Sequence, residues 1–423
     1  MKNKFVIILL SLTAVLAGCV KSDVYVRGNL KVGFKWDQEE PSVGSEVQFT
    51  NFVNGVNLSS SKDYSFQWTF GDGSYNSSSS ELNPTHTYYR SGYHTVGLKV
   101  VKDGEVFSYS KDIYVLAYDE TQDKQTFLDM WASAPNMMSL PGLTIKKLEF
   151  NEEYGTALFG SNQVVTVVKA VLNAGGTSLK FGVGAQLNGS QTKKLSEFIS
   201  ERNAVLAING SFWKTLTAQE AARAQAINPK AALPRWDTTI VAGNNALDYV
   251  RMTNAAGVRV VDMPNFNYDL TTERSDRRSG NFSLNAAGKM TMRDLGGATF
   301  DNEATITHVD VMTGGPLLVS KSNVVPLYIN AENYERRNCS GTGSVDNNNT
   351  YLVFVESGTE DAAGMSIGSE LSYIFKWLGC NLAMNLGDAS FSALRTRDMA
   401  DDEGRDPFMF NALLLLDAAS TNP

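Results

Sequence analysis

NLGDASFSALR, residues 385–395, follows the apolar stretch IFKWLGCNLAM and crowds Asn385, Gly387, Asp388, Ser390 and Ser392 ahead of Arg395. Glycine and small polar residues after a buried segment let a backbone approach a ligand closely, and they equally suit an ordinary turn. Two further stretches share this composition. NAVLAINGSFW, residues 203–213, is an apolar run ending in Asn209-Gly210, and TGGPLL, residues 313–318, places Gly314 and Gly315 before a proline. The chain has only three histidines (His86, His94, His308) and neither a CxxC nor an HExxH spacing, so no His-rich metal site and no cofactor are expected. Glu356 and Asp388 are too dispersed to argue for a shared divalent cation.

The elements that would position these residues follow from periodicity. VVTVVKAVL (164–172) and TYLVFVESG (350–358) are β-branched and apolar and read as strands. QTKKLSEFISER (191–202) places Leu195, Phe198 and Ile199 on one helical face. Thr217-Ala218-Gln219-Glu220 fits a capping box ahead of a helix that stops at Asn228-Pro229. MSIGSELSYIFKWLG (365–379) reads as an amphipathic helix. Earlier in the chain, FQWTF (66–70) alternates as a half-buried strand does, Gly71-Asp72-Gly73 supplies a turn, and Lys102-Asp103-Gly104 marks a hairpin. Residues 24–117 therefore read as an Ig-like β-sandwich, 118–143 as a linker with one short helix, and 144–423 as a mixed α+β domain.

At 423 residues the chain is too long for one ordinary core, and a multidomain protein is expected. The net charge of −8 argues against nucleic acid as a partner, since tracking phosphates requires clustered Lys and Arg. Arg274, Arg277 and Arg278 form a basic cluster that reads as an exposed loop. Residues 1–19 differ in kind. Lys2 and Lys4 precede a short apolar run, Phe5 to Val15, which ends in Leu16-Ala17-Gly18-Cys19. This reads as a secretion signal of the bacterial lipoprotein type, with Cys19 as the lipidated first mature residue. The expected location is the cell envelope, the outer membrane in particular, with the protein held to the bilayer by lipid on Cys19. Cys380 lies in an apolar run and reads as a small hydrophobe, and whether it pairs with Cys339 is open. Nothing in the sequence sets the oligomeric state.

Two families are similar in these residues. WTFGDGS (68–74) followed by NPTHTYYRSGYHTVGLKV (83–100) resembles a PKD domain, in which Trp68 and Phe70 would fill the core and His86 would be structural. AINGSFW, TGGPLLVSKSNVV, TYLVFVESG and GMSIGSELSYIFKWLGCNLAMNLGDASFS, taken in order, resemble the phosphodiester glycosidase family over roughly residues 145–420. Asn209, Gly210, Phe212, Gly314, Gly315, Pro316, Leu318, Gly364, Met365, Leu371, Asn385, Leu386 and Ser392 match the family pattern. Gly387 stands where the family has its acidic residue, so Asp388 comes one place late. Asn338-Cys339-Ser340 stands where the family has Pro-Arg-Thr, with Arg336 and Arg337 just upstream, and Glu356-Ser357-Gly358 stands at its Asp-Gly.

This second resemblance implies hydrolysis of a glycosidic bond to a phosphodiester, with a glycan or sugar phosphate as ligand. Such chemistry requires a carboxylate to activate water, cations or N–H groups for the phosphate, and glycines for close approach. The resemblance assigns Asp388, Asn209 and Glu356 to catalysis, with Asp310 a further carboxylate. It assigns Gly210, Gly314, Gly315, Arg336, Arg337, Asn385, Ser390 and Ser392 to substrate binding, with Arg395 a further cation. The alternative is a non-catalytic glycan-binding lipoprotein that keeps the fold and pocket.

Overall fold

The computed structural model describes residues 30–60, 62–73, 77–88, 91–116, 118, 120–152, 158–172, 179–227, 241–246, 250–253, 259–263, 280–285, 289–294, 310–327, 331–387, 391–399 and 406–417. The signal segment with Cys19 and the arginine cluster 274–278 lie outside them. The chain divides into two compact units: residues 1–41, 47–86 and 91–116 form the first, and residues 42–46, 87–90 and 117–423 the second.

The first unit is a sandwich of two antiparallel sheets. One has the strand order Val32–Trp36, Glu46–Val53, Thr85–Thr87, and the other Ser78–Ser79, Ser65–Thr69, Gly92–Lys102, Glu105–Val115. Ser65–Thr69 alternates exposed and buried positions, which turns Phe66 and Trp68 inward. Trp68 packs edge-on to Phe34 with ring centroids 5.2 Å apart, and its indole N–H donates to the Glu81 carbonyl at 2.9 Å, so the large apolar ring is buried without an orphaned donor. His86 stacks on Phe70 at 4.0 Å and meets Asp72 Oδ2 at 2.9 Å, which gives it a structural place. Asp103 (φ 51°) and Gly104 (φ 81°) close the 92–115 hairpin with two successive left-handed residues, the twist that matches paired strands.

The second unit is dominated by strands rather than by a balanced α+β mixture. A seven-stranded antiparallel sheet has the order Asn323–Val324, Leu317–Ser320, Leu382–Asn385, Cys339–Ser344, Asn349–Val355, Gln163–Val171, Leu143–Phe150. A four-stranded sheet has the order Leu179–Ala185, Asn411–Asp417, Ala204–Asn209, Leu394–Thr396. A third, five-stranded sheet contributes Asp310–Gly314 and Gly280–Leu284. Their inner faces share one core in which Ile145, Val168 and Leu352 meet Phe181, Ile208, Leu413 and Leu415, with Met312 and Leu284 from the third sheet. The helix Leu195–Arg202 covers the other face of the four-stranded sheet, where Leu195, Phe198 and Ile199 pack on Ala204, Ala207, Ala412 and Leu414.

The expected capping box is formed: Glu220 Oε2 accepts from Thr217 N–H at 2.8 Å and Thr217 Oγ1 accepts from Glu220 N–H at 3.2 Å. The expected amphipathic helix at 365–379 is different. It opens as a π-helical turn, Ile367–Leu371, continues as Ser372–Trp377, and is buried nearly all round. Its polar residues have partners inside: Glu370 pairs with Arg336 at 2.7 Å and accepts from Ser366 N–H at 2.8 Å, while Ser366 and Ser369 hydroxyls lie 2.6 Å apart. Cys339 and Cys380 are both buried free thiols, and no disulfide joins them.

Candidate functional site

The Ala204–Asn209 strand is buried at every position and delivers Asn209 to the edge of the shared core. There the Asn209 side chain joins segments far apart in sequence. Its Nδ2 donates to the Leu386 carbonyl at 2.8 Å, and its Oδ1 accepts from the Ala393 N–H at 3.1 Å. Ser340 Oγ lies 2.7 Å from Asn209 Oδ1 and 3.0 Å from Leu386 O, so its one proton serves one of the two. Ser392 Oγ is 3.5 Å from Ser340 Oγ. Both ends of the Asn209 amide are engaged, Nδ2 as donor and Oδ1 as acceptor, as a buried amide requires.

A second asparagine ties the neighbouring turn in place. Asn385 Nδ2 donates to Gly315 O at 3.2 Å and to Gly387 O at 2.9 Å, while the backbones of Asn385 and Gly315–Pro316 exchange two hydrogen bonds. The glycine-rich turn, between the strands Asp310–Gly314 and Leu317–Ser320, is thereby fixed against the 385–387 loop. Gly387 has φ +62°, and a Cβ there would lie 2.9 Å from Asn209 Nδ2 and 3.1 Å from Gly210 O. A Cβ at Gly210 would lie 2.2 Å from Asn411 Oδ1. Both positions need glycine because other backbone or a pinned amide occupies the space.

These residues wall a pocket lined by Asn209, Gly210, Ser211, Phe212, Trp213, Gly387, Phe391, Met409 and Asn411. Trp213 and Phe391 face each other with ring centroids 4.6 Å apart. Asn411 Oδ1 accepts from the Ser211 N–H at 2.5 Å, whereas Asn411 Nδ2 and Ser211 Oγ are buried with no protein partner among the described residues. The enclosed space is about 10 Å³, room for about one water, so these two polar groups suit a bound water or a single polar substituent, while the half-buried Trp213 and Phe391 rings stand at its edge. No described residue lining the pocket is a carboxylate. Among the described residues no group of three or more His, Cys, Asp or Glu is placed to hold a metal.

The residues singled out from sequence fall into three groups. Asn209 and Gly210 line the pocket, and Asn385, Gly315 and Ser392 belong to the hydrogen-bonded frame behind it. Gly314 belongs to that frame too, since a Cβ on it would meet Met384 Sδ at 2.6 Å and Asn385 O at 2.9 Å. Asp388 and Ser390 lie outside the described residues.

The others are placed elsewhere. Glu356 Oε1 lies 3.6 Å from Lys147 Nζ on the Leu143–Phe150 edge strand, at the far side of the sheet from Leu382–Asn385. Arg336 is held by Glu370, donates to Ser161 Oγ at 2.6 Å, and also donates to the Phe159 carbonyl at 2.5 Å. Arg337 forms a backbone bridge with Met365. Asp310 Oδ2 accepts from Val183 N–H at 3.0 Å. Arg395 donates to Met399 O and lines a different cavity. The Cys339 thiol, next to Ser340, is pushed up by burial and is no nucleophile at neutral pH.

Asn411 and Phe391 were not read from the sequence. Asn411 opens the apolar run NALLLL as Asn209 closes AVLAIN, and the two strands pair antiparallel with Asn209 opposite Ala412. An Asn at the same end of two buried strands is the signal that was available.

Residues 38–108 match the PKD domain family model, and this segment is a PKD domain. It is also similar to the PKD1 domain of Vibrio anguillarum Epp, at 24% identity and a TM-score of 0.17, over 22% of this chain and 99% of that one. About two thirds of the chain has a structural neighbour in the zebrafish N-acetylglucosamine-1-phosphodiester alpha-N-acetylglucosaminidase catalytic domain, auto-inhibited by its pro-peptide. That likeness has 13% identity and a TM-score of 0.40, covering 67% of this chain and 87% of that one. A hypothetical protein from Synechocystis is similar at 15% identity and a TM-score of 0.38, over 92% and 81% of the two chains. No curated protein matches the chain. All these TM-scores lie below 0.5, so the chemistry of the site rests on its own residues.

Proposed function

We propose that the second unit hydrolyses the bond between the anomeric carbon of a sugar and a phosphodiester on a surface or environmental glycan. The observation that supports this reading is the joining of four sequence segments through two asparagine amides, Asn209 and Asn385. Asn209, Ser340, the Asn385–Gly387 loop and the Gly315 turn form one hydrogen-bonded wall, and all but the Ser340 segment are stretches in which the chain resembles phosphodiester glycosidases. The sugar ring would lie outside the small pocket, over the half-buried Trp213 and Phe391 rings, with one polar substituent or a bridging water reaching Asn411 and Ser211. Asp388, the residue after Gly387, would take a proton from water as that water attacks the anomeric carbon. The carbon–oxygen bond then breaks and the phosphate monoester leaves with the electron pair, a leaving group that needs little acid assistance. We further propose that lipid on Cys19 holds the protein at a membrane of the bacterial envelope.

The test is release of free sugar from a sugar-1-phosphodiester by the purified chain, beside Asp388→Asn. Turnover that disappears in the variant supports the reading. The second reading, a glycan-binding protein without turnover, is favoured by one feature: the described lining supplies aromatic rings and amides and no carboxylate. Saturable binding of the same compound without sugar release would select it.

A further inference from the structure

A second cavity, of about 480 Å³, opens at the other end of the Ala204–Asn209 strand. It is lined by Ser196, Ile199, Ser200, Asn203, Ala204, Arg395, Arg397 and Met399. The ends of a six-residue strand lie about 17 Å apart, so this cavity is separate from the pocket at Asn209. We propose that it binds the phosphate group of a small phosphorylated metabolite or sugar.

Arg395 lies in the strand Leu394–Thr396, Arg397 follows directly after its end, and both line the cavity. Arg395 is 3% exposed, and its Nη2 donates to the Met399 carbonyl at 3.0 Å, which fixes the plane of the guanidinium. Arg397 is anchored by its backbone N–H on Val205 O, and its side chain is one-third exposed. It pairs with Asp398, 3.8 Å from Nε and 70% exposed, a contact too long for a hydrogen bond and screened by water. The Arg397 fork is therefore available to a ligand.

The carboxylate of Asp406 accepts from both the Ser196 N–H and the Ser196 hydroxyl, and this commits the Ser196 proton. The Ser200 hydroxyl and the Asn203 side chain complete the polar lining, Asn203 being the left-handed residue that ends the Leu195–Arg202 helix. Guanidinium, hydroxyl and amide groups arriving from a helix end and a strand surround a tetrahedral oxyanion better than a planar carboxylate. The volume exceeds that of a bare ion and leaves room for an organic portion.

The test is calorimetric titration of the full chain with inorganic phosphate, with acetate as the carboxylate probe. Saturable phosphate binding is expected, weakened about tenfold in Arg397→Gln, the loss of one charge-assisted contact. Asn203→Gly keeps a left-handed helix end and should weaken binding severalfold, while Lys321→Gln, on an exposed turn elsewhere, should leave it unchanged. Three results would each overturn the assignment: no saturable phosphate binding, equal binding by wild type and Arg397→Gln, or acetate binding as tight as phosphate.

Discussion

Asn209 and Gly387 meet so closely that a single methyl group on Gly387 would lie 2.9 Å from Asn209 Nδ2, inside normal contact distance. The amide cannot retreat, because it is held by Leu386 O on one side and by Ser340 and Ala393 on the other. Gly387→Ala therefore carries two penalties: a left-handed backbone, about 1–2 kcal/mol, and displacement of the Asn209 amide. The variant should fold with a modest loss of stability and lose most of its ligand affinity. Comparing its denaturation midpoint with its binding isotherm separates the two effects.

Removing the amide itself should act on the fold. Asn209→Ala leaves Leu386 O and the Ala393 N–H without their side-chain partner in a buried place, at a cost of about 3 kcal/mol. Denaturant titration of the second unit's transition should show this loss, and Asn209→Asp should not recover it, because a carboxylate cannot donate to Leu386 O.

Arg336→Ala should be more damaging still, although Arg336 lies apart from the pocket. It would leave Glu370, fully buried, without its cation, which costs about 3–5 kcal/mol. Arg336→Met combined with Glu370→Gln should recover a large part of that loss. Full recovery of stability with unchanged ligand affinity would confirm that the pair serves folding alone.

Cys19→Ala is expected to move the protein from the membrane fraction of a bacterial host to the soluble fraction and to remove the mass increment of the lipid from the N-terminal peptide. Fractionation with intact-mass measurement reads both.

What the sequence disclosed was mostly local. Asp103-Gly104 and Thr217-x-x-Glu220 carry their structure in adjacent residues, and both formed as expected. The PKD segment was legible because its core aromatics and turn glycines lie within one short stretch. The 367–377 segment was misjudged because Glu370 looks solvent-facing until Arg336 is brought to it by the fold, while Ser369 pairs locally with Ser366. Glu356 sits at a strand end, and periodicity does not say which neighbouring strand supplies its partner, which is Lys147 rather than the pocket. Asn411 escaped notice for the same reason: its role depends on Ser211, two hundred residues away in the chain.

The central claim is that the bond broken is the one at the anomeric carbon, and oxygen labelling tests it most directly. The purified chain would be incubated with a sugar-1-phosphodiester in water enriched in oxygen-18, and the released phosphate monoester weighed by mass spectrometry. Attack at carbon leaves the phosphate unlabelled and places the new oxygen on the sugar, which is the predicted result. Labelled phosphate would mean attack at phosphorus, and no release at all would mean no hydrolysis; either would contradict the account.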